Sequence, residues 1–328
     1  MSVRRSILAL ATLLVLAAIG YGFYWFHAQG LVRKSIEVWA EQRRAAGWRV
    51  AWGEMSVGGF PPRIEVRLDA PQVALPNGAE WRADSLAAAA SPFDLGHLHV
   101  AAPGHHAATL GTWRAEAEFG ALDADVTLDA AGRPIELSAV AGSLRSAAGN
   151  AERVSLSVTP GQPDIAFAFA AIGVDLGEAA LPVLDRRIAR LEAAGRVRGV
   201  WPSGPALAAL VAWSAAGGTI EIERLALEWE PLALEGDGTI AFDAALQPLA
   251  AFAARVRGTG PLMDRLAAAR ILDPGAAFAA KTLLAVMSKP DSLGRPAVPV
   301  PVTLQDGLLW LGPARLAKVP PIRWPSVE

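Results

Sequence analysis

Apolar residues recur at every second position through long tracts of this chain, and no other feature constrains its fold as tightly. Ile64-Glu-Val-Arg-Leu68, Val154-Ser-Leu-Ser-Val158, Ile220-Glu-Ile-Glu223 and Leu225-Ala-Leu-Glu-Trp229 each alternate in this way. Successive side chains of an extended strand point to opposite faces, so the pattern predicts a sheet with one apolar and one polar surface. Two further tracts are apolar on both faces, with Ala lining the second: Ile165-Ala-Phe-Ala-Phe169 and Leu249-Ala-Ala-Phe252. Turn residues separate the tracts at Pro76-Asn-Gly78, Ala131-Gly132, Glu235-Gly-Asp-Gly238 and Asp306-Gly307. Links this short favour antiparallel meanders over parallel crossover units.

Helical spacing interrupts the pattern in the second half. Leu181, Leu184, Ile188 and Leu191 fit one helix face, with Gly195 as its stop. Pro205 to Ala216 opens on Pro and ends at Gly217-Gly218, and Pro261 to Leu272 ends at Asp273-Pro274. Ala276 to Met287 is apolar almost all round, which predicts a buried helix. Strands return at Val298 to Leu304 and Leu308 to Leu311, and the Pro-rich tail 320–325 cannot be a central strand. The expected fold is α+β and mainly β: an N-terminal transmembrane helix, then an extended, curved antiparallel sheet with about four helices inserted in the C-terminal half.

The transmembrane expectation rests on Ile7 to Phe26, a run without charge or Pro that follows Arg4 and Arg5 and ends in Tyr21, Phe23, Tyr24, Trp25 and Phe26. Twenty helical residues cover roughly the 30 Å core of a bilayer, and the aromatics fall where an interfacial belt lies. A cleaved signal peptide is the competing reading, with Ala18-Ile-Gly20 as its one tolerable cleavage site. Arg4 and Arg5 place the N-terminus in the cytoplasm, whereas Arg33, Lys34, Arg43 and Arg44 argue the reverse. The division expected is 1–30 for a stub and anchor, 31–47 for a juxtamembrane helix and 48–328 for a soluble β-rich domain. The expected location is the inner membrane, crossed once, with that domain in the periplasm.

A formal net charge of −2 leaves no electrostatic footprint for nucleic acid. The absence of Cys excludes disulfides, Cys-ligated zinc and a thiol nucleophile. His97, His99, His105 and His106 are the nearest thing to a metal cluster, because His97 and His99 share a strand face. Neither a general base nor an ordered second shell can be assigned to them, so loop or surface histidines are the simpler reading. Asp123, Asp125 and Asp129 lack the Gly and Glu of a calcium loop, and Asp123 and Asp125 fit the solvated face of a strand over Leu122 to Leu128. Gly236-Asp-Gly238 fits a dinucleotide fingerprint only superficially, since Thr239 to Asp243 alternates like a strand and the glycines read as a hairpin turn. No nucleophile elbow or Walker loop is present. The reading is therefore a chain that is not an enzyme, with no cofactor and no assigned catalytic, cofactor-binding or metal residue.

Two segments carry a resemblance. The first is Trp52-Gly-Glu-Met-Ser-Val-Gly-Gly-Phe-Pro-Pro-Arg-Ile-Glu-Val66. The second comprises Gly236 to Asp243, Ala253 to Gly258, and the stretch from Val300 through Gln305-Asp-Gly307 to Gly312-Pro313. Together they resemble the alphaproteobacterial domain of unknown function 2125 family. The resemblance implies a membrane-anchored periplasmic protein and brings no activity with it. The terminal hairpin is also similar, more loosely, to those of AsmA-like envelope proteins, which implies extended β structure and a part in lipid movement or outer-membrane homeostasis.

Three functions compete on this reading. Strands apolar on both faces suit a protein that holds or passes lipid or another apolar ligand. Sheet edges and the Pro-rich segment 295–301 suit an envelope scaffold or assembly factor with protein partners. The His97–His106 cluster suits a metal-dependent hydrolase. The first two turn on whether an apolar groove stands open or is filled by residues 261–287.

Overall fold

The computed structural model describes residues 24–324, apart from 26, 60–62, 77, 92, 111–112, 131, 148, 162, 178–182, 203–205, 292, 313 and 323. The chain enters through α1 (27–45). Eight short strands follow: β1 (Arg49–Ala51), β2 (Met55–Gly58), β3 (Ile64–Asp69), β4 (Gln72–Ala74), β5 (Glu80–Ala83), β6 (Ser85–Ser91), β7 (Asp94–Ala101) and β8 (Gly104–Leu110). Long strands come next: β9 (Trp113–Leu128), β10 (Pro134–Ser146), β11 (Gly149–Pro160), β12 (Ile165–Asp175) and β13 (Arg187–Arg198). After α2 (Ala206–Ala215) come β14 (Thr219–Trp229), β15 (Leu232–Phe242) and β16 (Pro248–Arg257). The helices α3 (Thr259–Ala268) and α4 (Pro274–Met287) precede β17 (Lys289–Pro290), β18 (Pro296–Gln305), β19 (Leu308–Leu311) and β20 (Ala314–Lys318).

All pairings are antiparallel, and they form one meander. The short strands are halves of longer ones: β1 and β2 pair with β4 and β3, these with β5 and β6, and these with β8 and β7, which both pair with β9. From β9 to β16 each strand pairs with the next, and β16 continues to β18, β19 and β20. Neighbours in sequence are thus neighbours in space, which is what short turns impose on alternating strands. Strand spacing of about 4.8 Å stretches the resulting fifteen rungs over roughly 65–70 Å. Twist of roughly 20–25° per pair accumulates along them, so the sheet coils.

A line of kinks crosses the first rungs. Gly53 N–H donates to Asp69 O, Ala70 to Asp84 O, Asp84 to His105 O and Ala102 to Leu122 O, so the breaks lie side by side. Ala70 has φ 42°. The apolar positions change parity at the same breaks, from Val50 to Met55 and Val57, and from Trp81 and Ala83 to Leu86 and Ala88. An inserted residue alone would send the rest of the strand to the wrong face. Insertion and parity change cancel, and one face stays apolar through the bend.

Several expectations are corrected here. Among the described residues no helix is long and apolar enough to cross a membrane, so the expected fold with an N-terminal transmembrane helix does not stand. The run Ile7 to Phe26 lies outside the described residues except for Tyr24 and Trp25. The first described helix, α1, carries Arg33, Lys34, Glu37, Glu41, Arg43 and Arg44, charges that a bilayer core would not accept. It lies along the edge strand instead: the guanidinium groups of Arg33 and Arg44 donate to Met55 O and Val50 O. That covers part of an edge otherwise open to pairing.

The C-terminal half holds three described helices rather than four. Ile188 and Leu191 belong to β13, opposite Val174 and Ala171, and Gly195 sits within that strand. Leu191, Ala193, Gly195 and Val197 form its period-two apolar side, which small residues disguise. Gly236 and Gly238 do not form a hairpin turn; both lie inside β15. The Pro-rich segment is likewise no free ligand, because Pro296–Gln305 is β18 and pairs with β16. Its Pro299 and Pro301 sit where the far side of the strand has no ladder partner, the position that a residue without N–H tolerates.

Candidate functional site

Residues paired across an antiparallel sheet share a face, so the registers show what each face is made of. One row runs Val57, Val66, Ala88, Val100, Ala124, Ala139, Leu156, Phe169, Ala193, Leu225, Gly236, Ala254 and Val300. A second runs Ile64, Ala90, Leu98, Val126, Leu137, Val158, Phe167, Gly195, Ile222, Gly238, Phe252 and Val302. Neither row contains a polar side chain. The row between them on the opposite face runs Glu65, Ala89, His99, Asp125, Ser138, Ser157, Ala168 and Ala194. The sheet is two-sided over its whole length.

Two rows with this spacing cover a band of roughly 700–900 Å². That exceeds the few hundred Å² of contiguous apolar surface that soluble monomers ordinarily leave open. The band is covered in places, since Ile64, Val66, Ile222 and Ala254 are buried, but most of it is not covered as a core is covered. Among the described residues no Phe is buried, and the single buried Leu, Leu246, lies in a turn. Leu156, in the middle of the first row, is 38% exposed.

The helices close the ends and leave the middle. Trp213 of α2 is the most enclosed large side chain described; it packs against Gly218 and meets Phe242 at 6.4 Å, and its indole N–H donates to Arg198 O at 2.8 Å. The C-terminal tail docks beside it, where Trp324 Nε1 donates to Leu246 O. At the other strand ends α3 and α4 pack on each other, and α4 also packs on β18. The expectation of a buried helix here is wrong. Ala277 is the one buried residue of α4, while Phe278 is 74% and Val286 80% exposed, and α3 has no buried residue. Residues 261–287 therefore do not fill the apolar face.

Glycine keeps parts of the band low. A Cβ on Gly238 would stand 2.4 Å from both Ala251 O and Phe252 Cδ1, so the Phe252 ring lies across that position. The sequence reading missed this use of Gly236 and Gly238, although a Gly within an alternating strand is itself a signal of close approach.

The histidines do not converge. His97 and His99 lie on β7 opposite Thr127 and Asp125 of β9, while His105 lies on β8 opposite Glu118. Nine residues of β9 separate Thr127 from Glu118, roughly 30 Å. His97 Nδ1 meets Asp94 at 2.8 Å, His99 Nδ1 meets Asp125 at 3.0 Å, and His105 Nε2 comes to 4.0 Å from Glu116. His106 is turned to the apolar side between Trp81 and Phe119, and its Nε2–H donates to Ala102 O at 2.8 Å. No group of three metal-ligating side chains assembles among the described residues. Two hollows, of about 460 and 330 Å³, lie on the polar face, one beside His97 and His99 and one over Ser138, Ser157 and Ala168. Both are open to solvent, the first lined also by Arg63 and Asp94 and the second by Val140, Glu192 and Arg224. Asp123 and Asp125 stand on the same face, as a solvated strand side requires.

No curated protein and no solved structure matches the chain. A family model described as "Uncharacterized protein conserved in bacteria (DUF2125)" matches residues 25–320, which takes in every strand of the sheet. The chain belongs to the DUF2125 family, whose members are described as uncharacterized bacterial proteins.

Proposed function

We propose that this protein is a non-enzymatic carrier that holds or passes lipid acyl chains along the apolar face of its sheet. The observation that carries the reading is the pair of unbroken apolar rows, which cross thirteen and twelve rungs without a polar side chain. A core needs apolar residues facing one another, whereas a face left half-open needs an apolar guest. Each methylene laid on it gains up to about 0.8 kcal/mol. The band has no charged or hydrogen-bonding side chain to select a head group, so it suits chains in general more than one lipid. The dispersed histidines offer the hydrolase reading no centre.

Mass spectrometry of lipid recovered with the purified full-length chain tests the proposal. Acyl lipid should copurify, and Ala193→Asp or Leu156→Asp should reduce it several-fold while Ser157→Asp on the other face leaves it unchanged. A protein that carries no lipid and takes up none from detergent micelles would end this reading.

A further inference from the structure

Helix α4 has two apolar stripes, and the fold uses one. At 3.6 residues per turn, Ala277, Ala280 and Leu284 share a narrow face, and these three are the residues of α4 that are buried or half-buried. Phe278, Thr282 and Val286 follow one another at intervals of four on the opposite side, flanked by Ala279 and Leu283. That side carries no charge, yet Phe278, Leu283 and Val286 are 74%, 60% and 80% exposed. Ile271, just before the helix, is 61% exposed, and Leu293, just after it, 71%.

The charges around this stripe are of two kinds. Lys281 is tied to Asp264 of α3, Arg265 to Glu230, and Asp291 to Arg295 and Arg257. Asp273 caps α4 by accepting from Gly275 and Ala276 N–H. Arg270 and Lys289, one at each end of α4, have no carboxylate partner among the described residues. We infer that the exposed stripe of α4, with Arg270 and Lys289, is a docking surface for an anionic lipid bilayer. Phe278, Leu283 and Val286 enter the boundary between head groups and acyl chains, and the two cations meet the head groups, the division of labour of an interfacial helix. Helix α4 itself packs on β18, whose Val298 and Val300 belong to the apolar side of the sheet. A second copy of the chain fits less well. Stacking two α4 stripes, in either direction, sets Arg270 and Lys289 of one against the same cations of the other.

The surface rests on α4 and the residues that flank it, and stands whether or not the sheet carries acyl chains. Because the chain has no Cys, a single introduced thiol can be labelled uniquely. Full-length Leu283→Cys and Val286→Cys, and Ser157→Cys as a polar-face control, would carry an environment-sensitive fluorophore and be mixed with vesicles of phosphatidylcholine containing or lacking phosphatidylglycerol. The α4 labels should brighten and shift to the blue with the anionic vesicles and be quenched by acyl-chain nitroxides, with the Ser157→Cys label unmoved. Arg270→Glu or Lys289→Glu should weaken the response at least roughly fivefold, the value of one basic side chain at an anionic surface. Silent α4 labels, or a control that responds equally, would overturn the surface. A shift that appears without vesicles and grows with protein concentration would replace the bilayer by a second copy. Copurifying lipid with silent α4 labels sinks the docking surface alone; docking by a lipid-free sheet sinks the carrier alone.

Discussion

Gly238 and Trp213 show how single residues set the limits of the apolar face. Gly238 leaves room for the Phe252 ring, so Gly238→Val should overpack the site and cost about 1–3 kcal/mol, read as a lower midpoint in urea. Trp213 stoppers one end, and Trp213→Ala should cost about 3–5 kcal/mol by the same measurement, since a cavity replaces the indole. Asp291 acts at the other end of the strands on the polar face. Burial alone would raise its pKa, but N–H groups of Arg295 and Leu293 and the Arg295 guanidinium together hold it below the ordinary 3.8. A carboxyl whose folded pKa is lowered adds stability that is complete above the ordinary value and lost as pH falls through the folded one. The segment 289–295 should therefore loosen in acid before the sheet does, and Asp291→Asn should remove that dependence in hydrogen exchange of Arg295 and Leu293.

At the scale of elements, local pattern and observed structure agree where one face is bulky and disagree where Ala intervenes. Val154 to Val158 and Ile64 to Leu68 are strands as their alternation requires. In Arg187–Arg198 the inward positions are Leu191, Ala193, Gly195 and Val197, so the period of two fades and the leucine spacing imitates a helix. Helix α4 was legible through the apolar run from Ala276; Asp273 and Pro274, read as the stop of the preceding helix, also cap and open this one, and Asp273→Ala should cost about 1 kcal/mol and lower helicity at 222 nm. Its environment was not legible. An all-apolar helix reads as buried because burial is the usual fate of such a surface, and the stripe of Phe278 and Val286 has a different one. The histidines failed as a site for a geometric reason. Nine sequence positions are close on a helix or a tight loop, but on an extended ladder they are roughly 30 Å apart.

For the whole molecule, short turns were enough to imply a meander, because a strand that reverses within a few residues has its predecessor as its nearest partner. The same residues imply that each strand has an apolar side. They do not say that those sides coincide. Register is a non-local quantity, and a slip of one residue between any two strands would have broken both rows. The kinks near Gly53, Ala70, Asp84 and Ala102 needed compensating changes of parity, and their effect becomes visible once the strands are paired. The carrier proposal therefore belongs to this scale, and a charge at Ala193 should reduce lipid recovery along the whole row more than it reduces stability. Period, turn chemistry and chain connectivity were enough for the strands with one bulky face, for their two-sidedness and for the antiparallel order, but not for strands whose apolar side is lined by Ala and Gly, such as Arg187–Arg198. That the apolar sides join into one half-open band was settled by the tertiary fold, because it depends on pairing between residues that no local rule connects.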